Sequence, residues 1–367
     1  MQVMIITAVA VGFFAYLANR QYNHAFAVNP VTGKQGSKKL TSYYLFATIC
    51  IIILASVGGL RYYVGTDYGA YYHGYAKYAD SVIERIQTWD EPGIAIIAKI
   101  VSLVYDDPGA FMFACTAITV FLFGFTLARH TDDFFFVIML YIFTSCWSGC
   151  FNGVRQYLAA AILFAGHRLI YERKFIKFCI VVFLAASFHV TALIMLPMYF
   201  LITENLDIKK IVFIMASGVA LVFSYDFLFE LVGVLKDTES SFTDSAYNQE
   251  QINPLRILIA LSPVLLYFFL VLQKRTFSGE ENFYMGFIFV SASTIIATHN
   301  SAYLNRVGIY FEPFIPLSLL FLVNKFDKNQ KLIVKATVLI LYGFLWIWFL
   351  ITGSSNWYWV FDRASVY

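Results

Sequence analysis

Side chains that could bind or transfer a charged group stand at the ends of strongly apolar segments in this sequence. Asn152, Arg155 and Gln156 open one such segment, and their i, i+3, i+4 spacing places all three on one face of a helix near its N-terminus. A helix N-terminus beside a guanidinium suits a phosphate group. The alternative interpretation is an arginine that only extends to the membrane interface.

A histidine, His189, interrupts a second apolar segment midway, between Ser187 and Pro197. An ionisable group inside a membrane segment is costly, so it is a candidate functional residue. The imidazole could take a proton as a general base. It could equally hydrogen-bond a backbone carbonyl of a neighbouring helix, and the sequence leaves both interpretations open.

Further polar residues flank the other apolar segments. Arg61 and Asp67 enclose a glycine-containing turn. Glu91 precedes Pro92 in a second predicted turn. Glu91 could be a functional acid, a helix cap or a solvated charge. The tyrosines of residues 68–78 could stack on sugar rings, but an interfacial aromatic belt is the interpretation we favour. A later polar set comprises His299, Asn300 and Arg306.

The composition assigns the chain to the membrane proteins. Hydrophobic residues make up 60% of it and charged residues only 13%, and the apolar runs recur from end to end. A formal net charge of +3, with no basic face, argues against nucleic acid as a partner. All five cysteines fall within apolar runs, which favours neither a disulfide framework nor a zinc site. We expect no metal and no cofactor.

The length needed to cross a bilayer, roughly 20 residues, selects about ten full transmembrane helices. The predicted spans are 3–19, 41–60, 109–128, 134–150, 154–171, 211–232, 255–272, 283–299, 307–323 and 332–350. Two segments do not fit, because 94–105 is short and 175–202 is long and broken near His189. We therefore predict an all-α polytopic membrane protein, residues 1–367 forming a single domain, with a re-entrant or surface segment at 94–105 and a half-helix hairpin at 175–202.

Basic clusters between the spans predict the orientation, because they face the cytoplasm. If 94–105 and 175–202 both crossed the membrane, the middle clusters would lie on opposite sides. If neither crosses, every cluster lies inside, and both termini lie outside with the loops 61–93 and 233–254. The polar candidates then gather at the outer face, which implies an outward-facing polar cavity.

A set of short motifs resembles the pattern of the EpsG family, which is similar to Wzy-type polysaccharide polymerases of O-antigen, capsule and exopolysaccharide pathways. The motifs are Arg61-Tyr-Tyr-Val-Gly-Thr-Asp67-Tyr, Glu91-Pro-Gly, Asn152-Gly-Val-Arg155-Gln156, Phe188-His189-Val-Thr-Ala, and Arg306 followed by Tyr310, Phe311 and Pro313. Each motif is weak alone, but their order over residues 61–316 is fairly specific. The resemblance implies a GT-C-like glycosyltransferase of the bacterial inner membrane that uses undecaprenyl-diphosphate-linked oligosaccharides as donor and acceptor.

The chemistry implied by this resemblance has two requirements. Fixed cations must stabilise the diphosphate leaving group, a role for Arg155 and Arg306 with Arg61 assisting. The same diphosphate-binding set includes Asn152, Gln156, His299 and Asn300. A base must take the acceptor proton, and the candidates are Glu91, His189 and Asp67. We expect an inverting, metal-independent transfer, with arginines in place of a divalent ion.

Two other functions remain open at this point. A lipid-linked oligosaccharide flippase or transporter would also need a polar cavity, but it usually has midplane binding groups and repeat symmetry, which this sequence does not display. A membrane O-acyltransferase could use His189 as a base. The expected partners are membrane lipid and, from the resemblance, a chain-length regulator and a flippase of the same pathway.

Overall fold

The computed structural model describes residues 1–26, 40–235, 254–298, 304–352 and 357–361. Within these ranges the chain is almost entirely helical, as expected of an all-α membrane protein. It divides into two compact units, Met1–Ala165 with Lys335–Tyr367, and Gly166–Val334.

The first unit holds the helices α1 to α9 and a two-stranded sheet. The helices are α1 Gln2–Phe26, α2 Thr41–Gly59, α3 Tyr68–Asp80, α4 Val82–Thr88, α5 Pro92–Val104, α6 Pro108–Arg129, α7 Phe134–Phe143, α8 Cys146–Gly149 and α9 Val154–Ala165. The strands β1 Arg61–Tyr62 and β2 Tyr358–Trp359 pair antiparallel, with Arg61 opposite Trp359 and Tyr62 opposite Tyr358.

The second unit holds α10 Arg168–Tyr171, α11 Phe175–Ala186, α12 Met198–Leu201, α13 Ile208–Leu235, α14 Pro254–Leu272, α15 Gly279–Ala297 and α16 Ile315–Val323. Its 3₁₀ helices are Val190–Met195, Leu304–Tyr310 and Glu312–Phe314. The last helix, α17 Lys328–Thr352, begins in the second unit and continues in the first.

Four helices among the described residues are long and apolar enough to cross a membrane. They are Gln2–Asn23 of α1, α2, α6 and α17, and they coincide with predicted spans. Other predicted spans are interrupted. The 10-residue α7 ends before Ser145, whose φ is +64°, and the 12-residue α9 ends at Ala165. The predicted span 307–323 begins as 3₁₀ helix, so the count of ten full spans is not confirmed.

Hydrogen bonds define one end of the first unit, here called the Asp133 end. Asn19 of α1 donates to Asp133 at 2.5 Å, and Lys335 of α17 forms an ion pair with the same carboxylate. Tyr43, at the start of α2, donates to the carbonyl oxygen of Ala128, at the end of α6, at 2.6 Å. The helices α1, α2, α6 and α17 therefore have alternating directions, as predicted for the spans that they represent.

The opposite end of the first unit, here called the Arg61 end, is formed by residues 61–107, 147–156 and 357–361. Its short helix α3 packs inward on α5 and α6. Tyr62, Tyr68, Tyr71 and Tyr75 are buried there, together with Ile94 of α5 and Phe111 of α6. Most of the tyrosines considered as a membrane belt are thus core residues, because their i, i+3, i+7 spacing gives α3 one buried face.

The half-helix hairpin predicted at 175–202 is present in the second unit. Helix α11 ends at Ala186, and the chain turns back through the 3₁₀ helix Val190–Met195 to α12. Arg173, just before α11, donates to the carbonyl oxygens of Tyr199 at 2.6 Å and Ile202 at 2.9 Å. The two ends of the segment therefore lie together, and the turn near His189 lies at its far end.

The other irregular segment, 94–105, forms most of α5. This helix has 13 residues and is about 20 Å long, too short to cross a bilayer alone. Ile94, Ala95 and Ala98 are buried, whereas Leu103 and Val104 are exposed. The predicted outer loop 61–93 contains α3 and α4, and residues 236–253 of the loop 233–254 lie outside the described residues.

Candidate functional site

Arg155 occupies the first turn of α9 at the Arg61 end and makes two polar contacts. Its Nη1 donates to Oε2 of Glu91 in an ion pair, and its Nε donates to the hydroxyl of Tyr71 at 3.3 Å. The guanidinium also lies 5.8 Å from the centre of the Tyr71 ring. Among the described residues, Nη2 has no hydrogen-bond partner, and 31% of the side chain is exposed. Arg155 is therefore fixed on one side and accessible on the other.

Glu91 reaches Arg155 from an uncommon backbone conformation. It precedes α5 with φ +49° and ψ 56°, in the left-handed region that residues other than glycine rarely adopt. Pro92 follows at the first helical position, where its fixed φ fits a helix start. The Glu91 side chain is 9% exposed, so the carboxylate is nearly enclosed while its partner is not. Of the alternatives for Glu91, a freely solvated charge is wrong.

Tyr71 is the part of this cluster that sequence reasoning missed. Its spacing with Tyr68 and Tyr75 predicts a shared helix face, but not a contact with Arg155. Burial raises the pKa of the Tyr71 hydroxyl despite the lowering effect of Arg155, so the phenol stays protonated near neutral pH. The same effect, with Asp106 accepting from the hydroxyl at 2.9 Å, raises the pKa of Tyr75 to about 12.

Arg61 was expected to assist in binding a diphosphate, but it is fully buried. Its Nε donates to the Val64 carbonyl oxygen at 3.1 Å and its Nη2 to that of Phe151 at 3.3 Å. Its Nη1 donates to Thr116 Oγ1 at 2.9 Å and to the carbonyl oxygen of Gly58. With no exposed edge for a ligand, the guanidinium instead joins the end of α2, the following turn, α6 and the chain before α9.

Asn152 also supports the turn after β1. Its side-chain oxygen accepts from the backbone N–H of Thr66 at 2.8 Å, and Gly65 packs directly against it with φ +107°. A Cβ at Gly65 would lie 2.5 Å from the Phe151 carbonyl oxygen, so only glycine fits this turn. Asp67 follows, half-exposed, and accepts from Thr66 Oγ1 at 3.3 Å.

The three residues predicted to share one face of α9 differ in their exposure to solvent. Asn152 is exposed, Arg155 is partly exposed, and Gln156 is only 3% exposed. The structure therefore brings Arg155 together with Glu91, and Asn152 together with the turn that carries Asp67. Gln156 faces the protein interior.

The remaining candidates belong to the second unit or lie outside the described residues. His189 is half-buried and immediately precedes the 3₁₀ helix Val190–Met195. Its backbone N–H donates to the Ala185 carbonyl oxygen at 3.1 Å, as in an α-helix, but its own backbone is extended, with φ −154° and ψ 116°, and this ends the helical course of α11. Arg306 is exposed at the 3₁₀ helix Leu304–Tyr310. His299 and Asn300 lie outside the described residues.

We looked for side chains that could bind a metal ion in the part of the chain that the structure describes. No group of three or more histidine, cysteine, aspartate or glutamate side chains is placed to hold an ion there. The cysteines of the described residues are all free thiols.

Comparison with known proteins identifies one family. The family model described as the EpsG family matches residues 44–360, which cover most of the chain and both compact units. Neither the curated proteins nor the solved structures yield a match. The matched region contains Arg155, Glu91, Asp67, His189 and Arg306.

Proposed function

Because the chain belongs to the EpsG family, we propose that it polymerises a polysaccharide from lipid-linked repeat units at the outer face of the bacterial inner membrane. The family is associated with glycosyltransferase-like polymerases of polysaccharide biosynthesis. The donor is a glycan on undecaprenyl diphosphate, and the acceptor is a hydroxyl group of an incoming repeat unit on the same carrier.

The observation that carries this proposal is the geometry of Arg155. Glu91 and Tyr71 hold Nη1 and Nε, while Nη2 remains available and part of the side chain is exposed. A guanidinium held in this way can donate from Nη2 to a phosphate oxygen in a fixed direction. Because the position is set by the protein, little reorganisation is needed when negative charge develops on a leaving diphosphate.

In the proposed reaction, the acceptor hydroxyl oxygen attacks the anomeric carbon of the donor sugar. The bond between that carbon and the diphosphate oxygen breaks, and undecaprenyl diphosphate leaves with the electron pair. A base accepts the hydroxyl proton. A single displacement of this kind inverts the anomeric centre. Arg155 stabilises the departing diphosphate.

The base remains one of the three residues predicted from the sequence. Glu91 is already ion-paired with Arg155, which suits it to positioning the guanidinium. Asp67 is half-exposed at the same end of the first unit. His189 is half-buried at the break of its hairpin.

In the orientation proposed from the basic clusters, the Arg61 end lies at the outer face of the membrane. Arg20 and Arg129 lie near the Asp133 end, since Arg20 follows Asn19 in α1 and Arg129 is the last residue of α6. Basic residues favour the cytoplasmic side. This orientation gives Arg155 access to lipid-linked glycans on the outer leaflet.

Reconstitution provides the direct test. The purified protein in liposomes is incubated with an undecaprenyl-diphosphate repeat unit, and the product length is read on a gel. A ladder longer than one repeat, with release of undecaprenyl diphosphate, supports the polymerase. Movement of the lipid-linked unit between leaflets without extension would instead identify a flippase, and acyl transfer from an added acyl donor would identify an acyltransferase.

A further inference from the structure

The turn that presents Glu91 contains two residues in left-handed conformations. Trp89 has φ 52° and ψ 39°, and Glu91 has φ 49° and ψ 56°. Side chains with a Cβ adopt this region at an energetic cost, and neither tryptophan nor glutamate is a residue type that favours it. Such conformations persist only where surrounding contacts hold them, and they cluster at functional sites.

Arg85 of α4 makes the contacts that hold this turn. Its Nη1 donates to both the carbonyl oxygen and the Oδ2 atom of Asp90, each at 2.8 Å, and its Nε donates to Ser81 Oγ at 3.0 Å. The guanidinium lies 5.0 Å from the centre of the Tyr78 ring, and the side chain is 15% exposed. Arg85 therefore connects the residue between the two left-handed positions to the helices α3 and α4.

The other side of the turn is fixed by packing. Pro92, Gly93, Ile94 and Ala95 are buried at the start of α5. The Glu91 backbone thus lies between a buried helix start and a residue held by Arg85. With the backbone held on both sides, the Glu91 carboxylate pairs with Arg155.

We propose that Arg85 is a positioning residue for the lipid-diphosphate site, acting through Asp90 and Glu91 on Arg155. The inference rests on the proposed function, because it assigns Arg85 to the binding of the same diphosphate. Arg85 itself does not touch the ligand. It keeps the turn in the conformation that places the Glu91 carboxylate against Nη1 of Arg155, which leaves Nη2 directed at the ligand.

The first experiment measures binding of undecaprenyl diphosphate to the full-length protein in lipid nanodiscs, together with thermal stability. Arg85→Ala should weaken this binding by about tenfold, since misplacing a positioned group is costly even when the group is retained. Arg85→Lys should also weaken it, because an ammonium group cannot reproduce the planar fork. The matched control is Glu84→Ala, which removes a charge from the exposed side of α4 and should leave affinity unchanged.

A rescue experiment separates positioning from simple stabilisation of α4. Trp89 is 50% exposed, so replacing it loses little packing. Glycine adopts the left-handed region without the cost of a Cβ, and Trp89→Gly should therefore restore part of the affinity lost in Arg85→Ala. If Arg85 only stabilised α4, Arg85→Ala would lower the melting temperature without weakening binding measured well below it, and Trp89→Gly, which favours the left-handed end of the helix, would raise only the melting temperature. Absence of rescue would overturn the inference.

A double-mutant comparison gives a second criterion. In a Glu91→Ala background, Arg85→Ala should cost little further affinity, because the link to Arg155 is already broken. An undiminished tenfold loss in that background would contradict the inference. If Arg85→Ala does not accumulate, Asp90→Asn provides the same comparison, since it keeps the volume and removes the charged acceptor.

These outcomes are distinguishable from a failure of the proposed function. If Arg155→Ala binds undecaprenyl diphosphate as tightly as the unchanged protein, the diphosphate site is misassigned, whatever Arg85 does. If Arg155→Ala loses affinity while the rescue and the double-mutant comparison both fail, only the positioning role of Arg85 is wrong.

Discussion

The Arg155 guanidinium donates to the Glu91 carboxylate, although the two residues are 64 positions apart in the sequence. One partner is 31% exposed and the other 9%. A carboxylate enclosed in this way needs its cation, because an unpaired buried charge is costly. The cation, in contrast, retains an accessible edge. This asymmetry is the reason for proposing that Glu91 positions Arg155 and that Arg155 binds the ligand.

The first prediction concerns the shape of the Arg155 cation. Arg155→Lys keeps the charge but cannot contact Glu91, Tyr71 and a phosphate in one plane. We expect polymer synthesis to fall by about tenfold or more, as for loss of one preorganised donor, and Arg155→Ala to fall further. The measurement is the initial rate of chain extension in liposomes.

Lys99→Ala is the matched control for this series, because it removes an exposed positive charge from α5 at the same end of the unit. Its rate should match that of the unchanged protein. Product of unchanged length and rate from Arg155→Ala would contradict the assignment of the diphosphate to this residue.

The sequence identified Arg61 and Arg155 by the same criterion, a cation at the end of an apolar segment, and could not separate them. Arg61 is enclosed because the turn after β1 and the chain before α9 fold over it, and both contacts are distant in sequence. Arg155 is accessible because Glu91 and Tyr71 approach from one side only. Burial of this kind depends on tertiary packing, which residue type and spacing do not specify.

The apolar segments show the same limit. The spans at α1, α2, α6 and α17 were predictable because each is an uninterrupted apolar run of sufficient length. The run 134–150 is equally apolar, yet the helix stops at Phe143 and Ser145 turns with φ +64°. Hydropathy measures transfer to lipid and contains no information on such a break. At 175–202 a polar interruption was visible, and the hairpin was predicted correctly.

The second prediction follows from the complete burial of Arg61. Arg61→Ala would leave the carbonyl oxygens of Gly58, Val64 and Phe151 without this donor and would create a cavity. We expect a loss of at least about 3 kcal/mol in the free energy of unfolding. Thr116→Val, which removes only one acceptor, should cost about 1 kcal/mol.

Thermal unfolding in detergent can be followed with a dye that fluoresces on reaction with thiols, because Cys115 and Cys150 are fully or almost fully buried near Arg61. The melting temperature of Arg61→Ala should be well below that of Thr116→Val. An Arg61→Ala protein of unchanged stability and weakened diphosphate affinity would return Arg61 to the binding site.

The third prediction concerns orientation. Gln87 of α4 and Asp132, after α6, are both exposed and lie at opposite ends of the first unit. With the Arg61 end outside, a cysteine at position 87 should react with a membrane-impermeant thiol reagent added to intact cells. A cysteine at position 132 should react only after the membrane is opened. The reverse pattern would invert the proposed topology.

The last prediction concerns His189, which either accepts a proton or stabilises the bend of its hairpin. If the imidazole is the base, His189→Ala should retain its melting temperature while chain extension falls by about 10²- to 10⁴-fold. His189→Gln, which keeps hydrogen-bonding capacity but is not basic, should be equally inactive. If the residue is structural, His189→Gln should restore stability and activity together.

Thr191→Val is the matched control for His189, because Thr191 lies in the same hairpin and forms a buried hydrogen bond with Tyr310 at 2.6 Å. Loss of this hydrogen bond in Thr191→Val should lower the melting temperature without abolishing polymer synthesis. Normal extension by His189→Gln would exclude the imidazole as the base and transfer the role to Asp67 or Glu91, which Asp67→Asn and Glu91→Gln then distinguish.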